Sequence, residues 1–456
     1  MTELLSPIES RLIDYAASLE LSELSDIGIQ QTKRRIADTI GGAIGAYAMG
    51  APRIARVVAP AFSSGASARI WGSLAQTTPE AAAFANGTML RYLDINDTHR
   101  TVDGSHPSDN IGGLVAMVES LRLSGRDLLL ATAISYEIQC RFVDVVPFNT
   151  NGWDQPVPGV MAMALSAGRL MGLDRDALRN ALSLAIVPNL CTYQTRAGEL
   201  SMWKGAAGAN GARQGIFAAR LAGEGMTGPY EAFDGIFGLW NQTVGKPYDL
   251  PELARKGGTF GVQQTNIKMY PVRDSCQLPV NIARALRIKV AANDIASLKI
   301  TTYKSAYKGA VEDPELWAPK TRETADHSML IAVAIGLIDG TLTPETFERG
   351  RFLDSDVLSL IGRTEVVVSD EFSSLTPDVR TCRLEAVDKA GATHVVEQAL
   401  TAKDIEVGPS DGEVKQKFMD LTGRMMPQSA SEALFSALME LENHETLDEI
   451  IHLTRI

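Results

Sequence analysis

The feature that most constrains the fold is a change of texture near residue 260. Before it, apolar residues recur at helical spacing in segment after segment, over 27–48, 127–143, 157–171 and 175–187. Ser6-Pro7-Ile8-Glu9 and Thr78-Pro79-Glu80 read as helix starts, the second opening a helix toward Leu93. Each sets a capping hydroxyl before a proline at the first helical position, where no amide hydrogen is missed. Residues 202–222 predict another helix, rich in Ala and Gly, which allows close helix packing.

After the change, KGGTFGVQQTNIKMYPVRD looks extended. SLKITTY (297–303) and TEVVVSD (364–370) alternate like strands, and 380–400 reads as a hairpin turned at Lys389-Ala390-Gly391. Residues 276–289, 328–338 and 344–361 are helical between them, and the tail, 412–456, is helical again. With 456 residues the chain is too long for one ordinary core. The expected fold is mainly α with an α+β second domain: an all-helical domain over 1–265 plus 405–456, and an α+β domain over 266–404.

Chemistry is concentrated in LRYLDINDTHRTVDGSHPSDNIGG, residues 90–113, between two apolar helical runs. Asp94, Asp97 and Thr98 close one helix, and His106-Pro107-Ser108 opens the next. An aspartate near an imidazole sets its tautomer or raises its pKa. Free amides at the new helix start attract anions, so a carboxylate substrate is expected. Three further clusters follow. Arg196 and Lys204 lie in TRAGELSMWKG, and Lys268, Tyr270, Arg273 and Asp274 lie in KMYPVRDSCQLP at the domain join. Arg322 and His327 lie in KTRETADHSM. His394, His444 and His452 read as ordinary surface or core positions.

Composition sharpens the argument. A net charge of −12 speaks against nucleic-acid and anionic-membrane partners, so an acidic ligand would need a local cluster of Lys, Arg and His. Cys140, Cys191, Cys276 and Cys382 are scattered, with none of the clustering an iron–sulfur site needs. They suggest reduced thiols in a cytoplasmic protein. The start, MTELLSPIESRLIDY, lacks the basic segment and apolar core of a signal peptide. No nucleotide, G-x-S-x-G or metal-ligand motif is evident. Acid–base chemistry without cofactor or metal is the expectation.

Four segments together resemble the MmgE/PrpD family: 82–98 with 104–113, 200–213, 268–277 and 321–329. The resemblance implies a homodimer with a large helical domain, a smaller α+β lid and a metal-free site between them. It implies dehydration, decarboxylation or epimerisation of a small polycarboxylic acid such as 2-methylcitrate, cis-aconitate or iminodisuccinate. Carried over residue by residue, the polar site falls on Asp94, Thr98 and His106, with Lys204, Lys268, Tyr270, Arg273, Arg322 and His327 around the cleft. One departure stands out. Many members carry histidine after the Gly-Trp-Asp found here at 152–154, whereas this chain has Gln155, which cannot shuttle a proton.

The leading expectation is a hydro-lyase. His106, oriented by Asp94, would act as acid or base, and Lys204, Arg273 and Arg322 would steady enolate-like charge. Thr98 would position a substrate carboxylate or hydroxyl. An epimerase or decarboxylase of a related acid is the alternative, and a non-catalytic carboxylate-binding homologue a third.

Overall fold

The computed structural model describes residues 6–60 and 67–456. Two hydrophobic cores organise them. One runs from Leu12 to Val262 and resumes from Phe418 to Ile451, so the C-terminal helices Asp411–Thr422, Gln428–Met439 and Asp448–Leu453 pack on the N-terminal helices. The other gathers residues from Tyr270 to Ala386 around a four-stranded sheet. The architecture is mainly α with a small mixed sheet, as the change of texture predicts. No helix among the described residues is long and apolar enough to cross a membrane.

Helix starts follow local chemistry. Ser6 and Glu9 form a reciprocal capping box, and Thr78 accepts from the Ala81 amide at the head of helix Pro79–Tyr92. The small residues serve packing. A Cβ on Gly87 would lie 2.7 Å from that of Ala209, and one on Gly112 would lie 2.9 Å from the Gly87 nitrogen. Helices Pro79–Tyr92, Ile111–Ser120 and Ala207–Gly223 therefore approach closely, which brings their charged ends together.

In the sheet, Ile295–Thr302 lies between Thr364–Val368, its parallel neighbour, and Val379–Asp388, its antiparallel one. The parallel pair requires a crossover, supplied by the intervening helices. Val379–Asp388 and Thr393–Thr401 form the expected hairpin, with Gly391 at φ +88° in its turn.

Several local expectations need correction. Residues 344–361 are two short helices, Pro344–Glu348 and Ser355–Ile361, separated at Gly350 (φ +68°). Lys204 sits in a 3-10 turn, Met202–Gly205, ahead of helix Ala207–Gly223 rather than within it. His106 precedes a 3-10 turn, Pro107–Asn110, and the α-helix begins only at Ile111.

Candidate active site

Helix Pro79–Tyr92 ends in a tight turn whose Asp94 is buried with φ +52°, a conformation Asp tolerates better than most residues. The turn aims its carboxylate at cations from distant segments. Lys268 Nζ donates to Oδ1 at 2.8 Å, Arg91 donates to the same oxygen, and Lys204 Nζ lies 3.8 Å from Oδ2. Burial alone would raise the Asp94 pKa, but Arg91, Lys268 and Lys204 outweigh it and hold the carboxyl well below its usual range.

Lys204 also donates to Asp326 Oδ1 at 2.7 Å, and that oxygen accepts from His327 Nδ1 at 2.6 Å. With its proton on Nδ1, His327 keeps the Nε2 lone pair for the cavity it lines. Burial and then Lys204 push its pKa down to about 3, so the ring is neutral. Burial likewise pulls Lys268 down to about 8, against the attraction of Asp94.

His106 is not oriented by Asp94. Its Nδ1 donates to the Asp97 carbonyl at 2.7 Å, and its Nε2 accepts from Arg91 Nη2 at 2.9 Å. Asp94 makes no hydrogen bond to the imidazole, and Arg91 binds both. Burial, then Arg91 and Lys268, hold His106 well below its ordinary pKa. The amides expected to receive an anion here are also taken. Gln155 Oε1 accepts from the His106 amide at 2.9 Å, and Asp97 Oδ1 accepts from the Ser108 amide at 3.2 Å. Gln155 Nε2 donates to Asp109 at 2.7 Å, so both ends of this amide brace the 105–109 turn.

Asp94, Lys268, His327, His106 and Gln155 all line one narrow cavity. Five cationic side chains, Arg91, Arg100, Arg196, Lys268 and Arg273, face three carboxylates, Asp94, Asp154 and Asp274. His106, His327, Gln155, Asn149 and Tyr193 complete most of the polar lining. The Arg273 side chain makes no hydrogen bond or ion pair with the described residues and lies over Gly309, where a Cβ would come within 2.5 Å of Nη2. Cationic excess in a chain of net charge −12 suits a polyanionic ligand.

Four candidates, Thr98, Tyr270, Arg322 and Lys204, fall outside the lining. Thr98 Oγ1 donates to the Ser105 carbonyl at 3.2 Å, while its backbone pairs with Asn266 and so brings Lys268 beside Asp94. Tyr270 turns its hydroxyl into the α+β domain, onto Asn281 Oδ1 at 2.8 Å. Arg322 donates to the Tyr92 carbonyl at 2.9 Å and stacks on that ring, in a separate groove. Its guanidinium comes within 3.7 Å of Asp326 from behind. Lys204 is absent from the lining too, but it touches both carboxylates that the lining histidine faces.

Arg100, Arg196, Asp274 and Asp326 all lie in the charged segments but are absent from the expected site. Asp274 gathers Arg380 (2.9 Å), Arg100 (3.3 Å) and Asn266 (3.1 Å). Asp326 had a signal, its position immediately before His327. Arg100 stood inside the charged cluster, and nothing in the spacing set it apart. Asp94, Asp326 and His327 are also close enough to share a metal ion, with ligand atoms within 4.8 Å of one another. They do not fit one, because Arg91, Lys204 and Lys268 already neutralise the two carboxylates.

A mainly helical fold with a small mixed sheet, and a cavity lined by five cationic side chains and two histidines, define the class of protein. Residues 10–250 match the MmgE/PrpD N-terminal domain and residues 270–442 the MmgE/PrpD C-terminal domain. The chain belongs to the MmgE/PrpD family. It is 28% identical to a 2-methylcitrate dehydratase of Cupriavidus necator, over 80% of this chain and 78% of that protein. A 2-methylcitrate dehydratase of Salmonella typhimurium is 27% identical over 83% and 80%. A cis-aconitate decarboxylase of Homo sapiens is 26% identical over 94% and 90%.

Proposed function

We propose that the protein is a cofactor-independent hydro-lyase that removes the proton α to a carboxylate of a hydroxy-tricarboxylate such as 2-methylcitrate. The observation that carries this reading is the cavity's excess of cationic side chains beside neutral histidines. A neutral imidazole is the form that accepts a proton, and an arriving polyanion raises the pKa of both rings. In this mechanism His327 Nε2 takes the α-proton, with its ring held by Asp326 and Asp326 held by Lys204. Arg91 and Arg273 stabilise the enolate-like charge. Lys268, with a pKa of about 8, protonates the departing hydroxyl. His106 is a second proton carrier, available once a substrate carboxylate draws Arg91 from its Nε2. Asp94 keeps the cations in place, and Gln155 holds the His106 turn.

A decarboxylase is the second reading. Loss of carbon dioxide needs one proton donor afterwards rather than an acid and a base, and Gln155 contributes no proton carrier to its wall. The body (1–265 with 405–456), the lid (266–404), a homodimer and a cytoplasmic setting belong to the same proposal. The two separate cores support the domain division, and light scattering tests the dimer.

Turnover of 2-methylcitrate, citrate, cis-aconitate and iminodisuccinate in deuterium oxide tests the chemistry. Ultraviolet absorbance of an unsaturated acid, growing from 2-methylcitrate, is the expected result. Carbon dioxide from cis-aconitate would favour decarboxylation, and deuterium uptake without either product would favour epimerisation. Saturable binding with no turnover of any of them would sink the enzyme reading.

A further inference from the structure

Helix Arg175–Ile186 is followed by a segment that contains only one short 3-10 turn, Tyr193–Arg196, before Met202. It is a strap tied at two ends. Near one end, the Asp154 amide donates to the Cys191 carbonyl and the Tyr193 amide to the Gly152 carbonyl, both at 2.8 Å. At the other, Glu199 Oε1 accepts from the Thr321 and Thr324 hydroxyls, both at 2.7 Å, and so fastens the strap to the α+β domain. Between the ties, Tyr193 and Arg196 reach the cavity.

Arg196 is buried there, with its side chain 7% exposed. Its Nε donates to Asp154 Oδ1 at 2.9 Å and its Nη1 to the Lys204 carbonyl at 3.4 Å, while Nη2 is buried without an acceptor. Orphaned buried N–H groups are costly, and a ligand that supplies the acceptor removes the cost. A planar guanidinium fork suits a carboxylate. Two other walls also offer guanidinium groups: Arg91 and Arg100 on the body, whose Nε atoms make no hydrogen bond although they lie 3.7 Å from Asp109 and 3.3 Å from Asp274, and Arg273 on the lid.

Resting on the polycarboxylate reading above, we propose that Arg196 is a specificity-determining residue that binds the third carboxylate of the substrate and so excludes dicarboxylates of the same length. The first two carboxylates go to the Arg91–Arg100 wall and to Arg273.

Calorimetric binding of tricarballylate and of glutarate, the same carbon chain without the central carboxylate, tests this. The wild-type protein should prefer tricarballylate by about 10-fold or more, the effect of one charge-assisted hydrogen-bonding group. Arg196→Met should abolish the preference by weakening tricarballylate alone. Arg196→Lys, which keeps the charge and loses the fork, should retain part of it. Equal weakening of both ligands by Arg196→Met, or no weakening of either, overturns the assignment and leaves the polycarboxylate reading standing. Failure of wild-type protein to bind either acid overturns both.

Discussion

Asp94 is a single residue on which three cations depend. Arg91, Lys268 and Lys204 are buried around it, and each would be left with a poorer counter-charge in its absence. Asp94→Ala should destabilise the fold by about 3–5 kcal/mol, the scale for breaking a buried ion pair from one side. Chemical denaturation measures it, and a loss below ~1 kcal/mol would mean the cations find other partners. Lys268 yields a kinetic prediction. Its ammonium, with a pKa of about 8, should be lost as pH rises through that value, so kcat/KM should fall on the alkaline side. Lys268→Arg, always charged, should remove that limb even if its rate is lower. An unmoved alkaline limb in the variant would assign it to another group.

Among elements, the helix crossing at Gly87, Gly112 and Gly208 sets the geometry of the cavity wall. A Cβ at Gly208 would lie 2.0 Å from Asp109 Oδ2, the oxygen that accepts from Gln155. Gly208→Ala should therefore displace Asp109 and loosen the His106 turn. We expect about 1–3 kcal/mol of lost stability, typical of overpacking, and a fall in kcat. Thermal melts and steady-state rates check this, with Gly412→Ala as a control, since a Cβ there meets only Ser410 Oγ at 4.0 Å. A variant as stable and active as the wild type would show that the wall yields freely. These elements were legible to different degrees. Capping residues and periodicity located helix Pro79–Tyr92 and the hairpin, whereas the breaks at Lys204 and Gly350 were not visible. Ala- and Gly-rich sequence reads as helix whether the backbone makes an α or a 3-10 turn.

At the scale of the whole molecule, pH acts through protons excluded on folding. His106 and His327 are held below their ordinary value of 6.5, so the unfolded chain binds protons there that the folded chain does not. Their neutral burial is compatible with stability above that pH, and stability is lost as pH falls below it, toward about 3 for His327. Asp103 acts in the opposite sense. Burial raises it to about 6, so its contribution is present below 3.8 and lost as pH rises through 6. His327 alone makes acid destabilising between 6.5 and about 3, by up to about 1.4 kcal/mol per pH unit. Urea unfolding at successively lower pH should show this slope, and His327→Gln should flatten it. An unchanged slope in that variant would move the effect elsewhere.

The sequence by itself determined where helix gives way to strand, which segments carry charge, and that an acidic chain needs a cationic pocket for an acidic ligand. Periodicity and capping are local, so they are written in adjacent residues. Only the tertiary structure decided which charges meet. Lys268 reaches Asp94 across 174 residues and Lys204 reaches Asp326 across 122. It also turned Tyr270 and Arg322 away from the cavity and brought Arg100 and Arg196 into it. A side chain's direction depends on what packs against its backbone from elsewhere in the chain, and residue type and spacing do not record that.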